Sequence, residues 1–179
     1  MKALIIVDVQ NDFCPGGALP APKGDTVVPV INDLMDRFNI VIASRDAHPH
    51  NTKHFNKWPP HCIEGTKGAE LHPDINTIKI QKVFQKGTGV IDDGYSAFEA
   101  TNGDLNKYLK DKGVTDVYVT GLTTEYCVKN TALDSIQNGF KTYLIDDAIA
   151  AVQPGSENER IALQEMKKFG VSILTSSEI

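Results

Sequence analysis

The sequence predicts an α/β fold: a three-layer α/β/α sandwich around a central, mainly parallel six-stranded sheet. Two observations predict it. Short apolar runs rich in β-branched residues alternate with segments of helical period along the chain. Most of those runs are apolar at every position rather than at every second one, the pattern of strands covered on both faces. Alternation of this kind builds a parallel sheet with helices on each side. A length of 179 residues fits one domain spanning 1–179.

Residues 3–9 read as the first strand. A helix over about 26–38 follows, with Val27, Ile31, Leu34 and Phe38 sharing one face and Asp25 placed to cap it. Residues 40–44 read as the second strand and 77–81 as the third. A helix over about 104–112 stops at Gly113, and 117–120 form the fourth strand. A helix over about 124–138, a strand at 142–145, a helix over about 157–169 and a last strand at 171–174 complete the chain. Two segments break this rhythm. Residues 45–76 and 85–103 are long and irregular, and loops of that length inside a compact domain are usually functional. Because they follow the second and third strands, they belong at the carboxyl edge of the sheet, where open α/β folds bind ligands.

Composition narrows the function classes. The formal net charge is −5 and no basic stripe is present, which argues against a nucleic-acid partner. The apolar run at 3–7 is too short for a signal peptide and is cut by Asp8, and no stretch is long enough to span a membrane. Cys14, Cys62 and Cys127 are too few for a disulfide framework, so the expectation is a cytoplasmic protein with reduced thiols.

Three residues carry nucleophilic chemistry. Asp8 ends the first strand, Lys86 lies just after the third, and Cys127 sits in the first turn of the helix after the fourth. With strand order 3-2-1-4-5-6, Asp8 and Cys127 face one another at the point where the winding reverses. A free thiol has a pKa of about 8.5, and a helix N-terminus together with a nearby cation is expected to lower it. Asp8 can take the thiol proton and later deliver it to a leaving amine. Each residue alone has a plainer role: a buried cysteine as a small hydrophobe, an aspartate as a turn residue, a lysine in solvent. Only their combination, taken with the motifs below, points to catalysis.

Asp46, His48, His54 and His61 supply one carboxylate and three imidazoles, a suitable set for Zn, Fe or Mn. Their spacing matches neither a metalloprotease helix nor a zinc finger. His50 and His72 read as surface histidines without a ligand.

The motifs also carry a resemblance. They are I-V-D-V-Q-N-D-F at 6–13, G-G-A-L at 16–19, S-R-D-A-H at 44–48, W-P-P-H-C at 58–62 and G-T-K-G-A at 65–69. F-Q-K-G at 84–87, Y-S-A-F at 95–98 and V-T-G-L-T-T-E-Y-C-V at 119–128 follow in order. With these the chain resembles the nicotinamidases of the isochorismatase-like cysteine hydrolase superfamily. The resemblance implies hydrolysis of nicotinamide to nicotinate and ammonia through a thioester, a step of NAD salvage, with pyrazinamide as a further substrate. It implies Asp8, Lys86 and Cys127 as the catalytic triad and a non-proline cis peptide between Leu122 and Thr123. The backbone N–H groups of Thr123 and Cys127 would then form the oxyanion hole, although Thr123 stands where some relatives have alanine. It implies one divalent metal, zinc first with iron or manganese as alternatives. Asp46, His48 and His61 would hold it, joined by His54 at a position less uniform among relatives. That metal would bind the pyridine nitrogen, Phe13 and Trp58 would sandwich the ring, and Leu19 would close an apolar wall. Both a monomer and a homo-oligomer stay open.

Two rivals are kept. A superfamily hydrolase acting on a ureido, carbamoyl or vinyl-ether substrate would lack the metal-ligand pattern, which this chain keeps. A non-catalytic metal-binding or interaction module would lack at least one triad residue, and all three are present.

Overall fold

The computed structural model describes residues 1–179. Six strands form one sheet: β1 Lys2–Val7, β2 Ile40–Asp46, β3 Lys82–Lys86, β4 Asp116–Leu122, β5 Lys141–Ala150 and β6 Ser172–Leu174. Their order is β3-β2-β1-β4-β5-β6, with every pairing parallel. The helices are α1 Val27–Leu34, α2 Leu105–Asp111, α3 Lys129–Gln137 and α4 Glu157–Lys168.

The alternation of side chains along β1 divides the core in two. Leu4 and Ile6 pack with Val27, Val28, Ile31 and Leu34 of α1 on one face. Ala3, Ile5 and Val7 pack with Leu105, Leu109, Ala132 and Met166 of α2, α3 and α4 on the other. The expected three layers are therefore present. Residues 3–7 of β1 are all fully buried, which explains why the strand reads as an unbroken apolar run.

The third strand lies elsewhere than expected. Residues 77–81 are not a strand: Thr77–Lys79 form a 3-10 turn, and Ile78 is 95% exposed. The strand is Lys82–Lys86, in which Phe84 is fully buried. It lies at the sheet edge with a lysine at each end, so its pattern reads as polar, whereas the Ile78 and Ile80 pair mimics a strand. The shift matters for the site, because Lys86 becomes the last residue of β3, directly opposite Asp46 of β2.

Asp25 does not cap α1. It lies inside a 3-10 turn, Gly24–Thr26, that runs straight into the helix without a side-chain cap. Pro29 is accommodated in the first turn, where its missing N–H costs nothing. Asp104 and Ser156 do cap α2 and α4, each accepting a backbone N–H. The helix expected from residue 124 opens as a π-helical turn, Thr124–Val128, before α3 begins.

Two glycines let the carboxyl edge close up. Gly121 of β4 has φ +104, and a Cβ there would lie 2.0 Å from the Val7 carbonyl oxygen. Gly94 has φ +83, and its Cβ would meet the Gly87 backbone at 2.4 Å. Only glycine permits either approach.

Candidate active site

β1 ends one residue before Asp8, whose φ of 49° is rare for a residue with a side chain. Such a conformation persists only where its surroundings enforce it, and it turns the carboxylate into the crevice between β1 and β4. The backbone N–H of Asp8 donates to the Ser44 carbonyl at 3.2 Å, and the Ser44 hydroxyl donates to Asp8 Oδ1 at 2.7 Å.

Lys86 reaches the same crevice from β3. Its ammonium lies 2.7 Å from Asp8 Oδ2, and it donates to Asp46 Oδ1 and to the Gly94 carbonyl, each at 2.6 Å. Cys127 Sγ is 3.5 Å from the same nitrogen. Asp8 and Lys86 are fully buried and Cys127 is 9% exposed. Carboxylate oxygens of Asp8 and Asp46 and the Cys127 sulfur all lie within 4.8 Å of one another. Asp8 Oδ2 is paired with the ammonium by charge, yet no donor addresses it with hydrogen-bond geometry. The Asp8 carboxylate is an ion-paired acceptor within 4.8 Å of the Cys127 sulfur.

The charges sort themselves unequally. Burial pushes the Asp8 carboxyl above the usual range, against the pull of Lys86. Burial also raises Asp46, but the Lys86 ammonium pulls the other way and that carboxyl ends below the usual range. Burial disfavours the Lys86 charge, and Asp46 with Asp8 overcomes it, keeping the ammonium well above its ordinary value. Cys127 departs from expectation. Burial raises the thiol well above its ordinary value against the pull of Lys86, and the Asp8 and Asp46 carboxylates add to the rise. The site holds a protonated thiol beside a carboxylate acceptor, rather than a preformed thiolate.

The histidines converge on the far side of Asp46. Asp46 Oδ2 is 3.6 Å from His48 Nε2, and ligand-capable ring nitrogens of His48, His54 and His61 lie within 4.8 Å of one another. Each Nδ1 faces an oxygen: Gly87 O at 2.8 Å for His48, Asp92 Oδ1 at 2.8 Å for His54, and Pro59 O at 2.7 Å for His61. Those acceptors place the proton on Nδ1 and leave every Nε2 with a bare lone pair. His48 Nε2 is buried and has no hydrogen-bond partner, a costly arrangement unless the lone pair serves another purpose. Burial also lowers His54 and holds His61 at about 4, so both are neutral, as ligation requires. The donor set fits a divalent ion. His50 is exposed and His72 pairs only with Asp74, at 4.0 Å, so neither joins the group.

A pocket joins the two clusters. Asp46, His54 and His61 line one part, Thr123 and Cys127 another, and Phe13, Leu19, Trp58, Tyr95, Tyr126 and Val152 form the walls. Leu122 and Thr123 are joined by a cis peptide. All the site residues named from sequence therefore meet around this pocket or directly beneath it.

Others were not foreseen. Gln10 pins the Asp46 backbone on both sides, accepting from its N–H and donating to its carbonyl, each at 2.8 Å. The buried Glu125 accepts from the backbone N–H groups of Val152 and Gln153, at 3.0 and 3.2 Å, and so fixes the wall beyond β5. Asp92 is held down to about 2, chiefly by Lys57, with Tyr95 and His54 contributing. Burial raises the Tyr95 phenol to about 12, so it remains a donor. Gln10, Tyr95, Glu125 and Tyr126 fall inside the quoted motifs, but only their contacts give them roles.

Comparison with known proteins agrees with this geometry. Residues 2–178 match the isochorismatase domain family. The chain is 40% identical over 192 residues to a nicotinamidase/pyrazinamidase of Mycobacterium tuberculosis, covering 99% of this chain and 100% of that one. It superposes on a nicotinamidase/pyrazinamidase of Acinetobacter baumanii with a TM-score of 0.92 at 38% identity, covering 99% of this chain and 97% of that one. A pyrazinamidase of Pyrococcus horikoshii, solved in complex with zinc, matches with a TM-score of 0.85 at 41% identity over 97% of this chain and 98% of that one. The chain belongs to the isochorismatase family and, within it, to the nicotinamidase branch.

Proposed function

We propose that this chain is a metal-containing cysteine amidohydrolase that converts nicotinamide to nicotinate and ammonia, and that it also cleaves pyrazinamide. One observation carries the reading. A buried Asp8–Lys86–Cys127 constellation, with Lys86 2.7 Å from Asp8 and 3.5 Å from the sulfur, opens into a pocket that a three-histidine cluster shares.

Asp8, Lys86 and Cys127 act as the catalytic residues. Asp8 Oδ2 takes the proton of Cys127 as Sγ attacks the carboxamide carbon. The backbone N–H groups of Thr123 and Cys127 stabilise the resulting oxyanion, and Lys86 keeps the carboxylates ionised around it. The C–N bond breaks, ammonia departs with the proton carried by Asp8, and a thioester remains on Cys127. Asp8 then deprotonates a water that attacks the thioester. The C–S bond breaks, the sulfur takes back the proton held by Asp8, and the acid product leaves, giving its remaining proton to solvent.

Asp46, His48, His54 and His61 would hold one divalent ion, zinc in preference to iron or manganese. When bound, it would supply Lewis-acid chemistry at the ring end of the substrate. Phe13, Trp58 and Leu19 pack the flat ring so that its carboxamide reaches Sγ. Three unpaired cysteines suit the reducing environment of the cytoplasm.

The test is ammonia release from nicotinamide by the purified chain, before and after chelation and zinc add-back, with Cys127→Ala alongside. Activity that needs both the metal and the sulfur is expected. A zinc-loaded chain that releases no ammonia, or a Cys127→Ala variant that keeps substantial turnover, ends the reading.

A further inference from the structure

We propose that Asp92 is a positioning residue that ties the metal-binding edge of the pocket to its aromatic wall through a single carboxylate oxygen. The inference rests on the amidase reading above.

Asp92 Oδ1 lies 2.8 Å from His54 Nδ1 and 2.8 Å from the Tyr95 hydroxyl. The Tyr95 oxygen in turn accepts the indole N–H of Trp58 at 3.0 Å. Every proton in this chain has a fixed direction. An indole N–H can only donate, so the Tyr95 oxygen accepts it and turns its own proton toward Asp92. An ionised carboxylate can only accept, so His54 must also donate from Nδ1, which leaves Nε2 bare toward His48 and His61. The second oxygen of Asp92 takes the Lys57 ammonium, leaving Oδ1 to the two aromatic partners.

The chain joins parts with different tasks. His54 stands 5.4 Å from the His61 ring, and Trp58 packs edge-to-face on Tyr126 at 4.8 Å beside Cys127. The loop that presents Asp92 is itself held. Lys53 donates its backbone N–H to the Val90 carbonyl at 2.9 Å, and the Thr52 hydroxyl donates to the Ile91 carbonyl at 3.0 Å. Without Asp92, the His54 ring loses what fixes its tautomer, and the Tyr95–Trp58 pair loses its anchor. The two losses are separable, because Tyr95→Phe cuts the wall limb and spares the His54 limb.

The experiment uses the full zinc-loaded chain and three readouts: zinc retention against a competing chelator, KM and kcat for nicotinamide, and emission of Trp58, the one tryptophan. Asp92→Ala should weaken zinc retention about 10–100-fold, the range for losing an outer partner of a ligating histidine. At saturating zinc it should raise KM more than it lowers kcat. Asp92→Asn, which keeps an acceptor oxygen, should restore part of both. Tyr95→Phe should retain zinc as the unaltered chain does, yet raise KM and shift the Trp58 emission. Unaltered zinc retention and KM in Asp92→Ala would overturn the proposal, as would loss of zinc from Tyr95→Phe as severe as from Asp92→Ala. A failure of the unaltered chain to hydrolyse nicotinamide would count against the amidase reading alone, since zinc retention and emission still judge Asp92.

Discussion

Asp46 and Lys86 stand opposite one another in register on β2 and β3, and their side chains meet at 2.6 Å. The other oxygen of Asp46 lies 3.6 Å from His48 Nε2. One carboxylate is thus shared between the ammonium beside Cys127 and the histidine cluster. Asp46→Asn keeps the shape and removes the charge from both. Breaking a buried pair costs about 3–5 kcal/mol, and Asp8 remains to Lys86, so the loss of stability should fall at or below that range. Metal retention should fall by at least the roughly 10–100-fold seen for outer partners. Urea unfolding and metal analysis of the variant measure the two effects, and full metal content in Asp46→Asn would remove Asp46 from the ligand set.

Asp8→Asn tests the proton acceptor. An amide cannot take the thiol proton, and positioned acid–base groups contribute about 10²–10⁴-fold, so kcat should fall by that factor. Zinc content should stay unchanged, because the Asp8 oxygens face Lys86 and Ser44 rather than the histidines. Retention of a kcat within about tenfold of the original would assign the base elsewhere, given that expected range.

The raised Cys127 pKa has a direct consequence for alkylation. Only the thiolate reacts, and a thiol whose pKa lies well above its ordinary value gains thiolate steadily as pH rises through neutrality. The rate of iodoacetamide labelling at Cys127, located by peptide mass analysis, should climb about tenfold per pH unit between roughly pH 6 and 9 with no plateau. A plateau below pH 7 would instead reveal a preformed thiolate.

Thr123 is assigned a backbone role, which its side chain should not disturb. Removing an oxyanion donor costs about 10²–10³-fold in kcat, whereas Thr123→Ala retains the N–H and should fall far short of that. Steady-state kinetics on nicotinamide decide it, and a loss within the full range would give the hydroxyl a part in the reaction.

Much of the fold was legible because strands buried on both faces must be apolar throughout. Residues 3–7 and 40–43 are fully or nearly fully buried, and they read as strands without ambiguity. The edge strand was misread for the converse reason. Lys82–Lys86 is flanked by charge, and nothing local distinguishes it from the more apolar but exposed stretch before it. Pairing with β2 chooses between them, and pairing is a long-range property.

The sequence by itself determined which residue types could do chemistry: Asp8, Lys86 and Cys127, and the carboxylate and histidines between residues 46 and 61. It could do so because strand ends and long loops have local signatures and ligand chemistry belongs to the residue type. Only the tertiary structure decided how those groups act on one another. It placed two carboxylates around one ammonium, so that burial and their charge keep the sulfur protonated instead of ionised. It also brought Asp92 to His54 across 38 positions of chain. Burial, hydrogen-bond direction and mutual charge depend on distances through space, which spacing along the polypeptide does not encode.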